Sequence, residues 1–384
     1  MRTLLLFLLL LLLPTSLCLS QVVPADSTLP VRDSISVSYF TNDIDRKGTL
    51  KIHPLDTAIT GFQDYNPLTK NSKLYATLGN IGSAYKNLFP YPLRHPGGFN
   101  FGTPTFDKYL YWNDSIRYYR VLKTYTELEY VQGAKKELNF IARFSRNIYR
   151  GLNLGFNFHV SSSPGAYQRQ KTNVVNFTLT AQFFSKTKRY GLIANFVLNR
   201  IKNEENGGIT YDSVFQQNLE SNRQVIAVNL PDAQNRVKES GIYIKQFFDI
   251  TRHDLYQLDS AKLKRKRIEL GRITYSFHYN RQIYNYIDGD PLSGFYSNFY
   301  FDTIQTTDSI TIQKIENIVT WTNPSFDPSR KYRRIQLEFK LKHQYVEVTY
   351  PDIQYYNHYF DHGQALIELV NPHKRYYINQ IIPS

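Results

Sequence analysis

The ten residues GLNLGFNFHV, from Gly151 to Val160, alternate without a break. Leu152, Leu154, Phe156, Phe158 and Val160 share one parity; Asn153, Gly155, Asn157 and His159 share the other. Successive side chains of an extended strand point to opposite sides, so the stretch predicts a strand with one apolar and one amide-rich face. Two environments ask for that pattern. In a soluble antiparallel sandwich the apolar face packs on a core and the polar face meets water. In a membrane barrel the apolar face meets lipid and the polar face a wet interior.

The neighbouring segments decide between them. VLKTYTELEYV (Val121–Val131) puts Leu122, Thr124, Thr126, Leu128 and Tyr130 on one face, then turns at QGAK into KELNFIARFS (Lys136–Ser145). There Leu138, Phe140, Ala142 and Phe144 oppose Glu137, Asn139 and Arg143. VVNFTLTAQFF (Val174–Phe184) sets Val175, Phe177, Leu179, Ala181 and Phe183 against Asn176, Thr178, Thr180 and Gln182. YGLIANFVLNRI (Tyr190–Ile201) follows the polar turn SKTK and ends at NEENGG, whose Asn206 and Gly207 are strong turn residues. Such strands, each of about ten to twelve residues, exceed the usual sandwich strand of about five or six. Joined alternately by short turns and longer polar loops, they predict an all-β protein: an antiparallel transmembrane β-barrel with up-and-down meander topology.

Later segments alternate less regularly. Gly241–Ile250, Ile268–Tyr279 and Ile310–Trp321 read as strands, and Lys331–Tyr350 reads clearly, with Ile335, Leu337, Phe339 and Leu341 facing away from Gln336, Glu338, Lys340 and Lys342. The expected total is roughly eleven to thirteen strands. Helical periodicity is scarce, the best candidate being DSVFQQNLESNRQVI from Asp212. In a barrel, parity makes Glu137, Asn139, Arg143, Asn153, Asn157, His159, Gln182, Glu338, Lys340 and Lys342 candidates for the lumen. The opposite parity makes Leu138, Phe140, Leu152, Leu154, Phe156, Phe158, Phe177, Leu179, Ile335, Leu337, Phe339 and Leu341 candidates for the lipid side.

The chain opens MRTLLLFLLLLLLPTSLCLSQ, a positive start, an apolar run from Leu4 to Leu13 and then small residues. That run is too short to cross a bilayer as a helix, so residues 1–20 read as a secretory signal peptide cut after Ser20. Cys18 is the only cysteine, so the exported chain is expected to hold together without disulfides. No later stretch is long and apolar enough for a spanning helix. Residues 21–115 are rich in turn signals, with SISVSYF (Ser34–Phe40) as one possible strand; this part reads as a periplasmic extension, a segment inside the barrel, or both. Residues 116–384 carry the barrel strands. The end, YYINQIIPS, lacks a terminal aromatic and places Pro383 where a ladder donor is wanted. The expectation is therefore a barrel missing its closing strand.

Tyrosine (31) and phenylalanine (25) are abundant, as suits rings that sit at a bilayer interface. The formal net charge is +14. An exported basic protein meets acidic glycans, lipid phosphates or anionic solutes. Because the basic residues are scattered among strands, contact with outer-membrane lipids and lipopolysaccharide is expected rather than a nucleic-acid groove. The one dense run, KLKRKR (Lys262–Arg267), reads as a solvated turn or a phosphate-facing rim. Nothing in the sequence speaks to oligomeric state.

Three stretches carry a family resemblance: YATLGNIGSAYKNLF, the meander from Tyr125 to Ile201 containing FSRNIYRGLNLGFNFHVSSSPGAYQRQ, and NRIKNEENGGITYDSVF. From about residue 70 to 220 the chain resembles the outer-membrane β-barrel porin family of Bacteroidetes. The resemblance implies a pore in the cell outer membrane, and members longer than this chain. Its motifs are structural and imply no reaction chemistry.

Sites for chemistry are few. The nine histidines are scattered, there is no HExxH and no cysteine pair, so neither a metal centre nor another cofactor is expected. No phosphate-cradling glycine motif opens a helix, and HPGGFNFG reads as a turn in the absence of a GxSxG elbow. Outer-membrane phospholipases place a His and a Ser two apart on one strand, the spacing of His159 and Ser161. Their parity, however, is that of Asn153 and Asn157, away from a lipid substrate. The reading that results is a porin-like channel for passive diffusion of small hydrophilic solutes with a mild preference for anions; a TonB-dependent transporter would need a plug domain and a much longer barrel. The alternative is a secreted β-sandwich that binds or adheres, or an outer-membrane scaffold without transport.

Overall fold

The computed structural model describes residues 37–44, 50–56, 61, 64–70, 74–89, 104–187, 189–259, 262–296, 305–323, 337–350, 360–361, 364–365 and 373–383, with backbone alone at 43, 44, 50, 104, 134, 251–269 and 360–383. The leader, HPGGFNFG and Ile335 lie outside these residues.

Strands β1 (Val37–Ile44), β2 (Leu50–Pro54) and β5 (Tyr118–Val121) form a small antiparallel sheet in the order β2-β1-β5. Between them, β3 (Tyr75–Thr77) and β4 (Tyr85–Asn87) make a hairpin inside YATLGNIGSAYKNLF. The chain then enters a ten-stranded antiparallel sheet. Its strands in chain order are β6 (Tyr125–Gln132), β7 (Leu138–Tyr149), β8 (Leu152–Ser163), β9 (Thr172–Phe184), β10 (Tyr190–Glu205), β11 (Ala233–Asp259), β12 (Lys262–Asp288), β13 (Thr306–Thr322) and β14 (Glu338–Thr349), followed, beyond the two-residue pair β15 (Phe360–Asp361) and β16 (Gln364–Ala365), by β17 (His373–Pro383). Every neighbour in the large sheet follows its predecessor in sequence apart from that small pair, so the topology is an up-and-down meander. Among the described residues no ladder joins its edges, β6 and β17.

Register turns the alternation of single strands into continuous rows. Phe144 lies opposite Phe156, Phe156 opposite Leu179, Leu179 opposite Phe196 and Phe196 opposite Ile242. The row continues through Tyr279, Ile315 and Tyr345. One residue along each strand, Arg143, Asn157, Thr178, Val197, Gly241, Asn280 and Lys314 make the corresponding row on the other face.

Burial runs opposite to the usual rule for a water-soluble sheet. In β8 the apolar Leu154 and Phe156 are exposed while Asn153 and Ser161 are buried. In β9 Leu179 is 46% exposed and Asn176 0%. In β10 the buried side is Ile193, Asn195, Val197, Asn199, Ile201 and Asn203. A sandwich packs its apolar face and wets its polar one; this sheet covers its polar face and leaves the apolar one uncovered.

Several sequence expectations change. Val121–Val131 is not one strand: Val121 pairs with Val37 in the small sheet, Leu122 is 76% exposed at the bend, and only Tyr125 onward joins the meander. The link after it is a 3-10 turn, Ala134–Lys136, with Lys135 and Lys136 in the left-handed region. Gly241–Ile250 and Ile268–Tyr279 are the middles of two 27-residue strands that pair along their whole length. KLKRKR is therefore the start of β12 rather than a turn. DSVFQQNLESNRQVI holds only a short helix, Asp212–Gln216, and a 3-10 turn, Arg223–Val225. The last segment forms β17, which pairs with β14, and Pro383 is accommodated because β17 is an edge; among the described residues the sheet stays open, as expected of a barrel missing its closing strand.

Candidate functional site

The covered face of the meander is where polar side chains converge. Among the described residues, what covers it is the stretch 104–117, together with β1, β5, Leu68 and the β3–β4 hairpin around Ile81. A 3-10 turn, Pro104–Tyr109, leads into Leu110–Arg117, which has no strand partner of its own. Buried backbone N–H and C=O groups need hydrogen-bond partners wherever they lie. Here the sheet supplies them from side chains.

Asn199 on β10 donates Nδ2 to the Tyr111 carbonyl (2.8 Å), and its Oδ1 accepts from the Tyr111 N–H (3.1 Å). Asn176 on β9 donates to the Tyr109 carbonyl (2.9 Å). Asn195 donates to the Asn113 carbonyl and to the Tyr118 hydroxyl, each at 2.8 Å, while its Oδ1 accepts from Asn113 Nδ2 at 2.6 Å. Gln182 donates to the Tyr119 carbonyl, and Thr172 Oγ1 to the Ile81 carbonyl. On β11, Lys245 Nζ donates to Asn42 Oδ1 (2.8 Å), and Asn42 Nδ2 to the Tyr243 hydroxyl (2.8 Å). An amide both donates and accepts, so one asparagine can replace a ladder neighbour for a stretch of chain that has none.

Apolar contacts key the same segment in place. Leu68, Ile81, Tyr85, Phe106, Tyr109 and Leu110 are buried against Val174, Ile201 and Val237 of β9, β10 and β11. Phe40 and Tyr118, stacked at 5.3 Å, are buried against Ile193 and Tyr243. The fit is closest at Gly241. A Cβ built there would lie 3.1 Å from Asn113 Cγ and nearer still to its Oδ1. Any larger residue on β11 at this point would have to displace the Asn113 side chain.

Charged groups on this face are mostly paired. Glu239, 3% exposed, accepts from Asn199 Nδ2 (2.9 Å), Asn280 Nδ2 (2.6 Å) and Gln282 Nε2 (3.5 Å). Lys342 pairs with Glu316 at 3.0 Å and Lys340 with Glu338 at 3.4 Å. Arg143 pairs with Glu127 on β6. A cavity of about 190 Å³ remains beside that pair, lined by Arg117, Arg143, Tyr111, Asn157 and Thr178 among others.

The sequence candidates fall as follows. Asn139, Asn153 and Gln182 are buried on the covered face; Arg143, Asn157, His159, Glu338, Lys340 and Lys342 lie on it and are half-buried. Glu137 sits in the turn before β7, where its carboxylate accepts from the Tyr65 hydroxyl (2.6 Å). That bond, with burial, pushes the Tyr65 phenol up to about 12. On the uncovered face, Leu154, Phe156, Leu179, Leu337, Phe339 and Leu341 are exposed, and Leu138, Phe140, Leu152, Phe158 and Phe177 half-buried. His159 is half-buried and engaged at both ring nitrogens. Its Nε2 meets Asn139 Oδ1 at 2.8 Å, its Nδ1 meets Asn176 Nδ2 at 3.3 Å, and its ring stacks on Tyr111. The neutral Nε2–H tautomer satisfies both contacts. Both nitrogens being engaged by amides, neither is left to take a proton from Ser161 two residues on. Sequence reasoning did not reach Asn113, Tyr111, Asn195, Asn199 or Glu239. No sequence signal marks them, since an amide is satisfied equally by water or by a backbone group.

A family model described as "Putative porin" matches residues 38–380. No curated protein and no solved structure matches the chain.

Proposed function

The chain belongs to the family described as putative porins, and from that premise we propose that it is an outer-membrane channel for passive diffusion of small hydrophilic solutes, with a mild preference for anions. The single observation that carries this is the inverted burial of the meander. A sheet that covers Asn176 and exposes Leu179 would lose free energy in water, because apolar area would stay wet. In a bilayer the same surface is matched to its solvent. The uncovered row from Phe144 through Phe156, Leu179 and Phe196 to Ile242 is the lipid-facing belt. Asn139, Arg143, Asn153, Asn157, His159, Gln182, Glu338, Lys340 and Lys342 belong to the inner wall, with Glu137 at its rim. Outer-membrane lipids and lipopolysaccharide are the surrounding partners.

The anion preference rests on the basic balance of the chain, +14, and on Arg117 and Arg143, which line a cavity between wall and covering segment. Planar-bilayer recording of the purified protein across a potassium chloride gradient tests both parts. Conductance with a reversal potential on the chloride side supports the reading. A silent bilayer counts against the channel, and reversal on the potassium side against the anion preference. Recovery of the protein from the soluble periplasmic fraction would sink the membrane assignment itself.

A further inference from the structure

A water-filled pore exposes its wall, and here much of the wall is covered. Val197, Asn176 and Thr172 are 0% exposed. Asn139, Ser145, Thr178 and Asn199 are equally hidden, and with His278 touching Asn113 the cover extends from β7 to β12. We propose that residues 64–70, 74–89 and 104–121, with β1, form an internal plug, that the structure is the closed state of the channel, and that solutes pass only when the Leu110–Arg117 stretch leaves its seat on β9–β12. The proposal rests on the channel reading above and adds a gate to it.

Three features of the seat favour release over permanent packing. Its bonds are amide-to-backbone bonds, of the kind that exchange with water at little net cost. Among the described residues, Ser161 Oγ, Asn176 Oδ1 and Gln182 Oε1 on the same wall have no protein partner, so water entering behind the plug would gain contacts there. The stretch itself has no strand ladder to break: Tyr111 and Asn113 are held by Asn199 and Asn195, with His278 Nε2 3.2 Å from Asn113 Oδ1. A plug meant to stay would be expected to join the sheet.

The closest approach of plug and wall supplies the test. Asn113 Cγ lies 3.1 Å from a Cβ at Gly241, within the reach of a disulfide. The exported N113C/G241C protein, whose only thiols are then the two introduced ones because Cys18 lies before the expected cut, is recorded in planar bilayers under diamide and then under dithiothreitol. Loss of conductance in the oxidised protein and its return on reduction are the expected result. An oxidised protein, cross-linked by gel shift, that conducts like the reduced one overturns the plug while leaving the channel reading intact. Silence in both states counts against the channel reading itself. The N195A/N199A protein, which needs no cross-link, gives an independent arm: a loosened seat raises open probability above wild type, and an unchanged open probability overturns the proposal.

Discussion

Asn199 meets the backbone of Tyr111 in both directions, donating to its carbonyl at 2.8 Å and accepting from its N–H at 3.1 Å. One side chain thus does for Tyr111 what a neighbouring strand does for a ladder residue, and it also bonds Glu239. Asn199→Leu keeps the size and removes all three contacts. Leaving buried groups unpaired costs about 1–3 kcal/mol each, so the segment around Tyr111 is expected to open about a hundredfold more often, at about 1.4 kcal/mol per decade. Hydrogen exchange at the Tyr111 amide measures this; an unchanged rate would show that apolar contacts alone hold the segment.

The exposed phenyl ring of Phe156 separates lipid from water as the medium outside the sheet. In a bilayer, Phe156→Arg is expected to cost about 2–4 kcal/mol if the ring lies near the midplane. The folded fraction in lipid vesicles, read by heat-modifiable gel mobility, then falls. On a water-exposed sheet the same change would be close to neutral. An unaffected folded fraction would remove the lipid-facing belt from the proposal.

Tyr65 offers a test in alkaline solution. Its bond to Glu137, together with burial, holds the phenol up to about 12, against about 10 for a free tyrosine. Because the folded value is raised, the protonated phenol's contribution is complete below pH 10 and is lost as pH climbs toward 12. A difference titration of the tyrosinate absorbance, wild type minus Tyr65→Phe, is expected to place one phenol near 12. A midpoint near 10 would mean that the bond does not form in solution.

Much of the fold was legible because two chemistries alternate with the side-chain period of a strand. Leu152–Ser163 and Thr172–Phe184 lie within a few residues of where the pattern put them. The two 27-residue strands were not legible, because Arg236 and Lys238 precede Ile242 on its own parity and Arg281 follows Tyr279 on its own, so the apolar runs look finished there. Nor was β5 separable from β6: Val121 and Tyr125 share a parity, and only pairing with Val37 reveals that they belong to different sheets. The filling of the interior lay beyond the pattern for a simpler reason. An asparagine such as Asn176 reads the same whether it faces water or the Tyr109 carbonyl, and the partner sits 67 residues away in sequence.

The amide wall also imposes an order of assembly. The stretch around Tyr111 leaves the ribosome before the strands whose side chains complete its hydrogen bonding, from Asn176 to His278. It cannot reach its final conformation on its own, since a buried backbone without partners is unfavourable. A stretch made before its partners is therefore among the last to settle, because its hydrogen bonds wait for β9 to β12.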